Sequence, residues 1–149
     1  MKLYGTKVSR AMRSIWAAEE VGVDYEWIPT SFREESKAPE YLAINPNGRI
    51  PALVDGDLVL FESMAINLYL AKTYGGKLYP SDPHDEARVL QWTIWGQTEL
   101  EPHLIPMLLH KSFLPEDQRD PAIVAKTEAD IERPLAVLDA HLADREYLL

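Results

Sequence analysis

Residues 45–66 read N-P-N-G-R-I-P-A-L-V-D-G-D-L-V-L-F-E-S-M-A-I, and this stretch decides the fold of the chain. It opens with a turn at 45–48, whose Asn, Pro and Gly residues are typical turn formers. Two short apolar runs follow at 52–54 and 58–61, separated by a turn centred on Gly56. This pattern predicts a β-hairpin, and the second strand runs directly into a helix.

Two features of the stretch suit the binding of a small peptide. We expect the Ile50–Pro51 bond to be cis, because the proline stands between a turn and a buried strand. The backbone of Ile50 then turns outward and offers its N–H and C=O groups to a peptide-like ligand. Glu62 and Ser63 begin the following helix, where free N–H groups and a partial positive charge favour a carboxylate. The sequence therefore predicts a site for a small peptide that carries a free carboxylate.

The residues before this stretch predict a strand, a helix and a second strand. Leu3-Tyr4 is typical of a strand, and the alternating residues 23–28 predict another. Between them lies a helix that Gly22 ends, with an apolar stripe formed by Met12, Ile15, Trp16 and Ala18. A strand–helix–strand unit this short implies parallel pairing with a right-handed crossover. With a short helix at 39–44 and a helix at 63–74, the element order is βαβαββα.

The pattern becomes purely helical after the glycine- and proline-rich segment 75–80. We therefore predict an α/β domain at residues 1–78, a linker at 79–83 and a helical domain at 84–149. Two long helices are expected, at about 84–111 and 122–144. Pro134 should kink the second helix or mark a boundary in it. The inward stripe of this helix is predicted to contain Ile131, Leu135, Leu138 and Leu142.

Composition narrows the classes of function. Hydrophobic residues make up 46% of the 149 residues, which is enough for a core, and no run is long enough to cross a membrane. The formal net charge of −9 argues against non-specific nucleic-acid binding, and with the lack of a signal-peptide pattern it predicts a cytoplasmic protein. The chain has no cysteine, which excludes disulfides, thiolate metal sites and a cysteine nucleophile.

The order of these motifs resembles the soluble glutathione S-transferase family. The likeness lies in N-P-x-G-x-I-P-A-L, in V-D-G-D-L-V-L-F-E-S and in E-S-x-A-I, and it extends to Leu3-Tyr4, to Ser9-Arg10 and to the helix that contains 90–108. The resemblance is to serine-type, bacterial-like members. It implies a thioredoxin-like α/β N-terminal domain followed by an all-α domain. Family members carry further helices, so the helical domain is expected to be incomplete and the chain truncated at its C-terminus.

The same resemblance implies a glutathione transferase that acts in detoxification. Such an enzyme activates the thiol of bound glutathione, its co-substrate, as a thiolate for attack on an electrophilic, mostly apolar small molecule. It implies a homodimer and no metal, nucleic acid or membrane partner. Two alternatives stay open: another glutathione-dependent enzyme, such as an isomerase, peroxidase or dehalogenase, or a non-catalytic interaction module that keeps the fold.

Ser9 is the candidate catalytic residue, because it matches the serine that stabilises the thiolate in serine-type members. A free thiol has a pKa of about 8.5, and lowering it by about 2 units requires about 2.7 kcal/mol of preferential thiolate stabilisation. The simpler interpretation of Ser9 is a helix cap. Tyr4 is the alternative hydroxyl donor, and its simpler role is packing on the sheet.

The resemblance also assigns the groups that bind glutathione. Ser63 takes the carboxylate and Glu62 the ammonium of the γ-glutamyl end, Lys37 takes the glycine carboxylate, and Ile50 with Pro51 holds the peptide backbone. The simpler interpretations are a plain helix cap, a surface lysine and an ordinary trans proline. A second-substrate pocket is predicted to include Val8, His103 and Met107, whose simpler role is packing. The four histidines have no metal-ligand spacing.

Overall fold

A computed structural model describes all residues 1–149, and it divides the chain into two compact units. The first unit is Met1–Ser81 and the second is Asp82–Leu149. The predicted linker, 79–83, spans the boundary between them. None of the helices combines the length and the apolar character that crossing a membrane requires.

The first unit is built on a four-stranded mixed sheet with the strand order β2-β1-β3-β4. Strand β1 (Lys2–Gly5) pairs in parallel with β2 (Glu26–Pro29), as the strand–helix–strand pattern predicts. Strand β1 also pairs antiparallel with β3 (Ala52–Asp55), which forms a hairpin with β4 (Leu58–Phe61). The predicted thioredoxin-like α/β fold is confirmed.

Three α-helices accompany this sheet, and two of them carry its core. They are α1 (Ala11–Val21), α2 (Pro39–Leu42) and α3 (Ser63–Tyr74). Short 3₁₀ turns lie at Glu35–Lys37 and Gly76–Leu78. Helices α1 and α3 pack together over the central strands, and the core residues are Leu3, Ile15, Ala18, Leu53, Ile66 and Leu70. Gly22 ends α1 in the left-handed conformation, as predicted.

The buried face of α1 differs from the predicted apolar stripe. Met12 is 41% exposed and Trp16 is 66% exposed, so the prediction that both belong to the stripe is wrong. The helix instead buries small residues beside Ile15, namely Ala11, Ser14 and Ala18. Small side chains let α1 approach α3 closely, and Ser14 donates a hydrogen bond of 2.9 Å to the Asn67 side chain on that helix. A prediction from hydrophobicity alone therefore placed the buried face of α1 too close to Met12 and Trp16.

The second unit contains three α-helices, and the first predicted long helix is interrupted. Its residues form α4 (Pro83–Trp95) and α5 (Glu101–Leu108), with π-helical turns at Gly96–Leu100 and Leu109–Phe113. A 3₁₀ turn at Glu116–Gln118 leads to α6 (Pro121–Leu142). Pro102 and Pro106 both lie in α5, and a proline donates no N–H to the carbonyl four residues earlier. The hydrogen-bond register is therefore broken at this point.

Helix α6 runs through Pro134 without a boundary, and its buried face is shifted from the predicted stripe. Thr127, Ile131 and Pro134 are buried, whereas Leu135 is 46% exposed. The predicted inward position of Leu135 is therefore wrong. Thr127 precedes Ile131 by one turn and Pro134 follows it by three residues, so the stripe turns away from Leu135.

A shared carboxylate ties the β3–β4 hairpin to the end of α3. The hydroxyls of Tyr74 and Tyr69 donate hydrogen bonds of 2.5 and 2.7 Å to Oδ2 of Asp55. These two bonds hold the pKa of the Asp55 carboxyl below its ordinary value of 3.8. The folded state therefore favours the ionised carboxylate over the protonated acid.

We expect Asp55→Asn to lower the free energy of unfolding by about 1 kcal/mol at neutral pH, because a neutral amide accepts these bonds less strongly than a carboxylate. A depressed folded-state pKa gives stability that is present above the unfolded pKa and lost as the pH falls through the folded pKa. The difference between wild type and variant should therefore begin to shrink near pH 3.8, the ordinary pKa, and should vanish once the pH is below the lower pKa of the folded state. Urea unfolding across this range measures it. Asp57→Asn, in the same turn, is the control, and an equal effect there would contradict the prediction.

Candidate functional site

Three segments of the first unit end at the same edge of its sheet. The register pairs Tyr4 with Ala52 and Ala52 with Phe61. The residues just beyond these positions are therefore the loop after β1, the Ile50–Pro51 peptide before β3 and the start of α3. The sequence separates these segments widely, whereas the strand register brings them to one edge.

The turn before β3 is held by hydrogen bonds to the Arg49 carbonyl. The Tyr41 hydroxyl donates to this oxygen at 2.6 Å, and the Asn45 side-chain amide donates at 2.7 Å. Asn45 is buried, and its side-chain oxygen accepts the backbone N–H of Asn47 at 3.1 Å. These contacts fix the backbone immediately before Ile50. Neither positioning residue was predicted from the sequence, although Asn-Pro-Asn-Gly is a signal for an Asx turn at Asn45.

The peptide bond between Ile50 and Pro51 is cis, which confirms that prediction. Pro51 is buried and Ile50 is half-buried. A Cβ placed on Gly5, at the end of β1, would lie 3.7 Å from the Cβ of Ile50. The Ile50 residue therefore lies next to the end of β1, where the loop to α1 begins.

Lys37 lies over the turn that precedes this peptide. Its ammonium donates a hydrogen bond to the carbonyl of Gly48. A Cβ on Gly48, whose φ is +58°, would stand 2.9 Å from the Lys37 Nζ atom. The absence of a side chain at Gly48 therefore leaves room for the lysine, and the structure brings Lys37 close to the Ile50 segment.

Glu62 and Ser63 stand at the start of α3. Glu62 has φ 75° and ψ 114°, and it is the one non-glycine residue with a positive φ. Such a conformation costs of order 1–3 kcal/mol and persists where the surroundings enforce it, often at binding sites. The surroundings include α1, because the Ser14 hydroxyl also approaches the carbonyl of Ser63 at 3.4 Å. Ser63 is buried and Glu62 is exposed, at a helix end that favours anions.

Ser9 lies in the loop between β1 and α1. Its hydroxyl donates a hydrogen bond of 2.8 Å to the Thr6 carbonyl and accepts the Ala11 N–H at 3.1 Å. The second bond satisfies a free N–H of the helix end, which agrees with the capping interpretation. A serine hydroxyl has one proton, so donation to a ligand would replace the bond to Thr6. Both roles are thus compatible with one position of the oxygen.

Tyr4 lies on the sheet face opposite to Leu3, because neighbouring strand residues point in opposite directions. Its ring packs edge-on against the ring of Tyr41, with 5.9 Å between centroids. Both rings line a cavity of about 310 Å³ between β2 and α2. These contacts agree with the simpler role of Tyr4, which is packing on the sheet.

The residues predicted for a second-substrate pocket lie in different units. Val8 is 85% exposed in the loop before Ser9. His103 and Met107 are half-buried on one face of α5, and His103 Nδ1 is 3.9 Å from the Asp130 carboxylate. That carboxylate also pairs with Lys126. The pocket stays a prediction. No group of three or more His, Asp or Glu side chains is arranged to hold a metal ion.

Comparison with known protein families and structures gives a consistent result. Residues 1–72 match the family model described as the glutathione S-transferase N-terminal domain. The chain is 37% identical to glutathione S-transferase 3 of Zea mays, over 99% of this chain and 69% of the relative.

Two solved structures have the same fold. One is a theta class glutathione S-transferase from Xanthomonas axonopodis pv. citri with glutathione bound, at a TM-score of 0.91 and 36% identity. The other is glutathione S-transferase I from maize in complex with an atrazine glutathione conjugate, at a TM-score of 0.88 and 36% identity. Each comparison covers 99% of this chain. It covers 72% of the Xanthomonas chain and 71% of the maize chain.

Proposed function

The chain belongs to the glutathione S-transferase family, and on this premise we propose that Ser9 activates the thiol of bound glutathione. The chain is a glutathione transferase, which joins glutathione to an electrophilic, mostly apolar small molecule. The serine-type mechanism and the individual site residues are our proposal. The observation that carries it is the convergence of the Ser9 loop, the Ile50–Pro51 peptide and the start of α3 at one edge of the sheet.

We assign the ends of glutathione to opposite parts of this edge. The γ-glutamyl carboxylate binds the N-terminus of α3 through Ser63, and Glu62 pairs with the ammonium. The backbone of Ile50, presented by Pro51, holds the peptide part. Lys37 lies over the neighbouring turn, where its ammonium attracts the glycine carboxylate. The thiol then lies between these anchors, toward the end of β1.

Ser9 stabilises the thiolate through a hydrogen bond from its hydroxyl, which turns from the Thr6 carbonyl toward the bound sulfur. A hydrogen bond to a charged group contributes about 1.5–3 kcal/mol, which lowers the thiol pKa by about one to two units. The N-terminus of α1, whose Ala11 N–H points at the same oxygen, favours negative charge there as well. The thiolate attacks the electrophilic carbon and displaces the leaving group. Tyr4 remains the alternative donor.

A second substrate is proposed to enter near Val8, with His103 and Met107 as further lining residues. An isomerase, peroxidase or dehalogenase reaction would use the same activated thiol, and only the second substrate distinguishes them.

We also propose the division of the chain into an α/β domain at residues 1–78, a linker at 79–83 and a helical domain at 84–149. A cytoplasmic location remains a prediction from the sequence.

The test of this function combines binding with turnover. Titration calorimetry should detect glutathione with an affinity in the millimolar to micromolar range, about −4 to −8 kcal/mol. The protein should then conjugate glutathione to 1-chloro-2,4-dinitrobenzene, followed by absorbance. A folded protein that binds glutathione without turning over any electrophile would favour the interaction module. A folded protein that does not bind glutathione would reject the site.

We expect the chain to form a homodimer. The sequence suggests Met64, Trp92 and Trp95 as apolar candidates for the interface. Trp92 and Trp95 pack edge-on with 5.1 Å between their ring centroids and are half-buried, whereas Ile94 on the same helix is 60% exposed. Exposed apolar groups are costly when they cluster, so an interface that covers Ile94 is favoured. Sedimentation velocity at micromolar concentration should give a dimer, and a strict monomer would contradict this.

A further inference from the structure

Trp27 contacts both ends of a short segment at the start of the Ser9 loop. Its indole N–H donates a hydrogen bond of 3.1 Å to the carbonyl of Gly5. The ammonium of Lys7 lies 5.0 Å from the centroid of the Trp27 ring, which is a cation–π contact. One side chain of β2 thus holds the residues on either side of Thr6.

Thr6 matters because it lies in the loop that carries Ser9, and its carbonyl oxygen accepts a hydrogen bond from the Ser9 hydroxyl. The position of the Ser9 oxygen therefore depends on two groups, the Thr6 carbonyl and the Ala11 N–H. The Ala11 side of this arrangement is rigid, because Ala11 is fully buried against the end of β1. A Cβ on Gly5 would stand only 2.3 Å from the Ala11 Cβ atom, so the two backbones are in close contact.

We propose that Trp27 is a positioning residue for Ser9: it clamps Gly5 and Lys7, and so fixes the loop backbone around Thr6 that sets the position of the Ser9 oxygen. This inference rests on the proposed function. A loose loop spreads the Ser9 hydroxyl over several positions, and only one of them reaches the glutathione thiol. The clamp removes this disorder before glutathione binds. Less of the free energy of the hydrogen bond between Ser9 and the thiolate is therefore lost on ordering the Ser9 hydroxyl.

Trp27→Phe is the variant that isolates the clamp. Phenylalanine keeps an aromatic face for Lys7 but has no N–H for Gly5. The Gly5 carbonyl stays satisfied, because it also accepts the Thr30 N–H at 3.2 Å. Trp27 is 39% exposed, so its replacement leaves no large cavity in the core. The variant should therefore fold, and thermal unfolding checks this.

The matched control is Trp16→Phe. Trp16 is an exposed tryptophan of the same unit, and its indole N–H also makes one hydrogen bond, of 2.8 Å, to Glu20. It lies on α1, outside the loop. The two substitutions remove the same atoms and one indole hydrogen bond each, to the Gly5 carbonyl in one case and to the Glu20 carboxylate in the other. A second variant, Lys7→Gln, breaks the other half of the clamp.

The readout is the pKa of the thiol of bound glutathione, followed by ultraviolet titration of the thiolate. We expect Trp27→Phe and Lys7→Gln each to raise this pKa by about half a unit and to reduce turnover about threefold at a pH of about 6.5. The KM for glutathione should stay nearly constant, since neither residue belongs to the glutathione anchors. Trp16→Phe should change none of these quantities.

The outcome is distinguishable from a failure of the proposed function. Combined with Ser9→Ala, Trp27→Phe should give no further rise in the thiol pKa, because the clamp acts through Ser9. If Ser9→Ala raises the pKa while Trp27→Phe leaves it at the wild-type value, the clamp is overturned and the serine mechanism stands. If Ser9→Ala itself has no effect, the serine mechanism fails. If the two effects add fully, Trp27 acts independently of Ser9 and the inference is wrong.

Discussion

Replacing Ser9 by alanine should reduce turnover with 1-chloro-2,4-dinitrobenzene about ten- to hundredfold at a pH of about 6.5, and the activity should recover as the pH rises. The reason is the loss of one hydrogen bond to a thiolate, worth about 1.5–3 kcal/mol. The pKa of the bound thiol should rise by about one to two units. Affinity for glutathione should hardly change, since its carboxylates and backbone are bound elsewhere.

The pH profile separates this role from that of a helix cap. Ser9 accepts the Ala11 N–H, so its removal also costs about 1 kcal/mol of stability. Asp120→Ala is the control for that cost, because the Asp120 side chain caps α6 through the Ala122 N–H at 2.8 Å. That variant should lose similar stability with an unchanged thiol titration. An unchanged thiol pKa in Ser9→Ala would return the role to Tyr4 or to backbone amides.

Replacing Ser63 by alanine should weaken glutathione binding about ten- to hundredfold, while turnover at saturating glutathione stays close to that of the wild type. The hydroxyl at the start of α3 is assigned to the γ-glutamyl carboxylate, and a hydrogen bond to a charged group contributes about 1.5–3 kcal/mol. Ser63 is buried, so no solvent molecule easily replaces its hydroxyl. Titration calorimetry gives the affinity, and the KM for glutathione should rise in parallel.

A hydroxyl at the far end of the same helix provides the control. Thr73 is exposed on α3, one residue before its end. Thr73→Ala should leave the affinity for glutathione unchanged. If Ser63→Ala binds glutathione as the wild type does, the carboxylate is bound by other groups and the assignment of α3 as its anchor is wrong. Because Ser9→Ala acts on the thiol pKa and Ser63→Ala on affinity, the two effects should be independent.

The sequence predicted well those parts of the fold that local chemistry determines. The hairpin at Gly56, the helix 63–74 and the Gly22 helix end all follow from turn residues and periodicity within short windows. The cis bond at Ile50–Pro51 was predicted from the order of motifs. Each of these features depends on neighbouring residues, which a single sequence displays.

Features that depend on contacts between distant segments could not be predicted in this way. The exposure of Trp16 follows from the packing of α1, whose buried face uses Ala11, Ser14 and Ala18 rather than the largest apolar residues. The exposure of Leu135 follows from the direction in which α6 packs. The contact between Trp27 and the Ser9 loop exists because β1 and β2 are paired.

The same limit applied to the candidate site. The family resemblance singled out Lys37, Ile50, Glu62 and Ser63. Asn45 had only the local signal of its turn motif, and Tyr41 had no signal in the sequence. These two residues hold the Arg49 carbonyl, and the pairing of Tyr41 with a loop eight residues later depends on how α2 is oriented. Positioning residues of this kind act through the backbone, so they leave a weak signal in a single sequence.

The most direct test of the central claim is ultraviolet titration of the thiolate in the complex of the wild-type protein with glutathione. We predict a thiol pKa about 2 units below that of free glutathione, which corresponds to about 2.7 kcal/mol of preferential thiolate stabilisation. Saturation of the protein should be established first by calorimetry. A bound thiol that titrates at the same pKa as free glutathione would contradict the account, because the site would then bind glutathione without activating it.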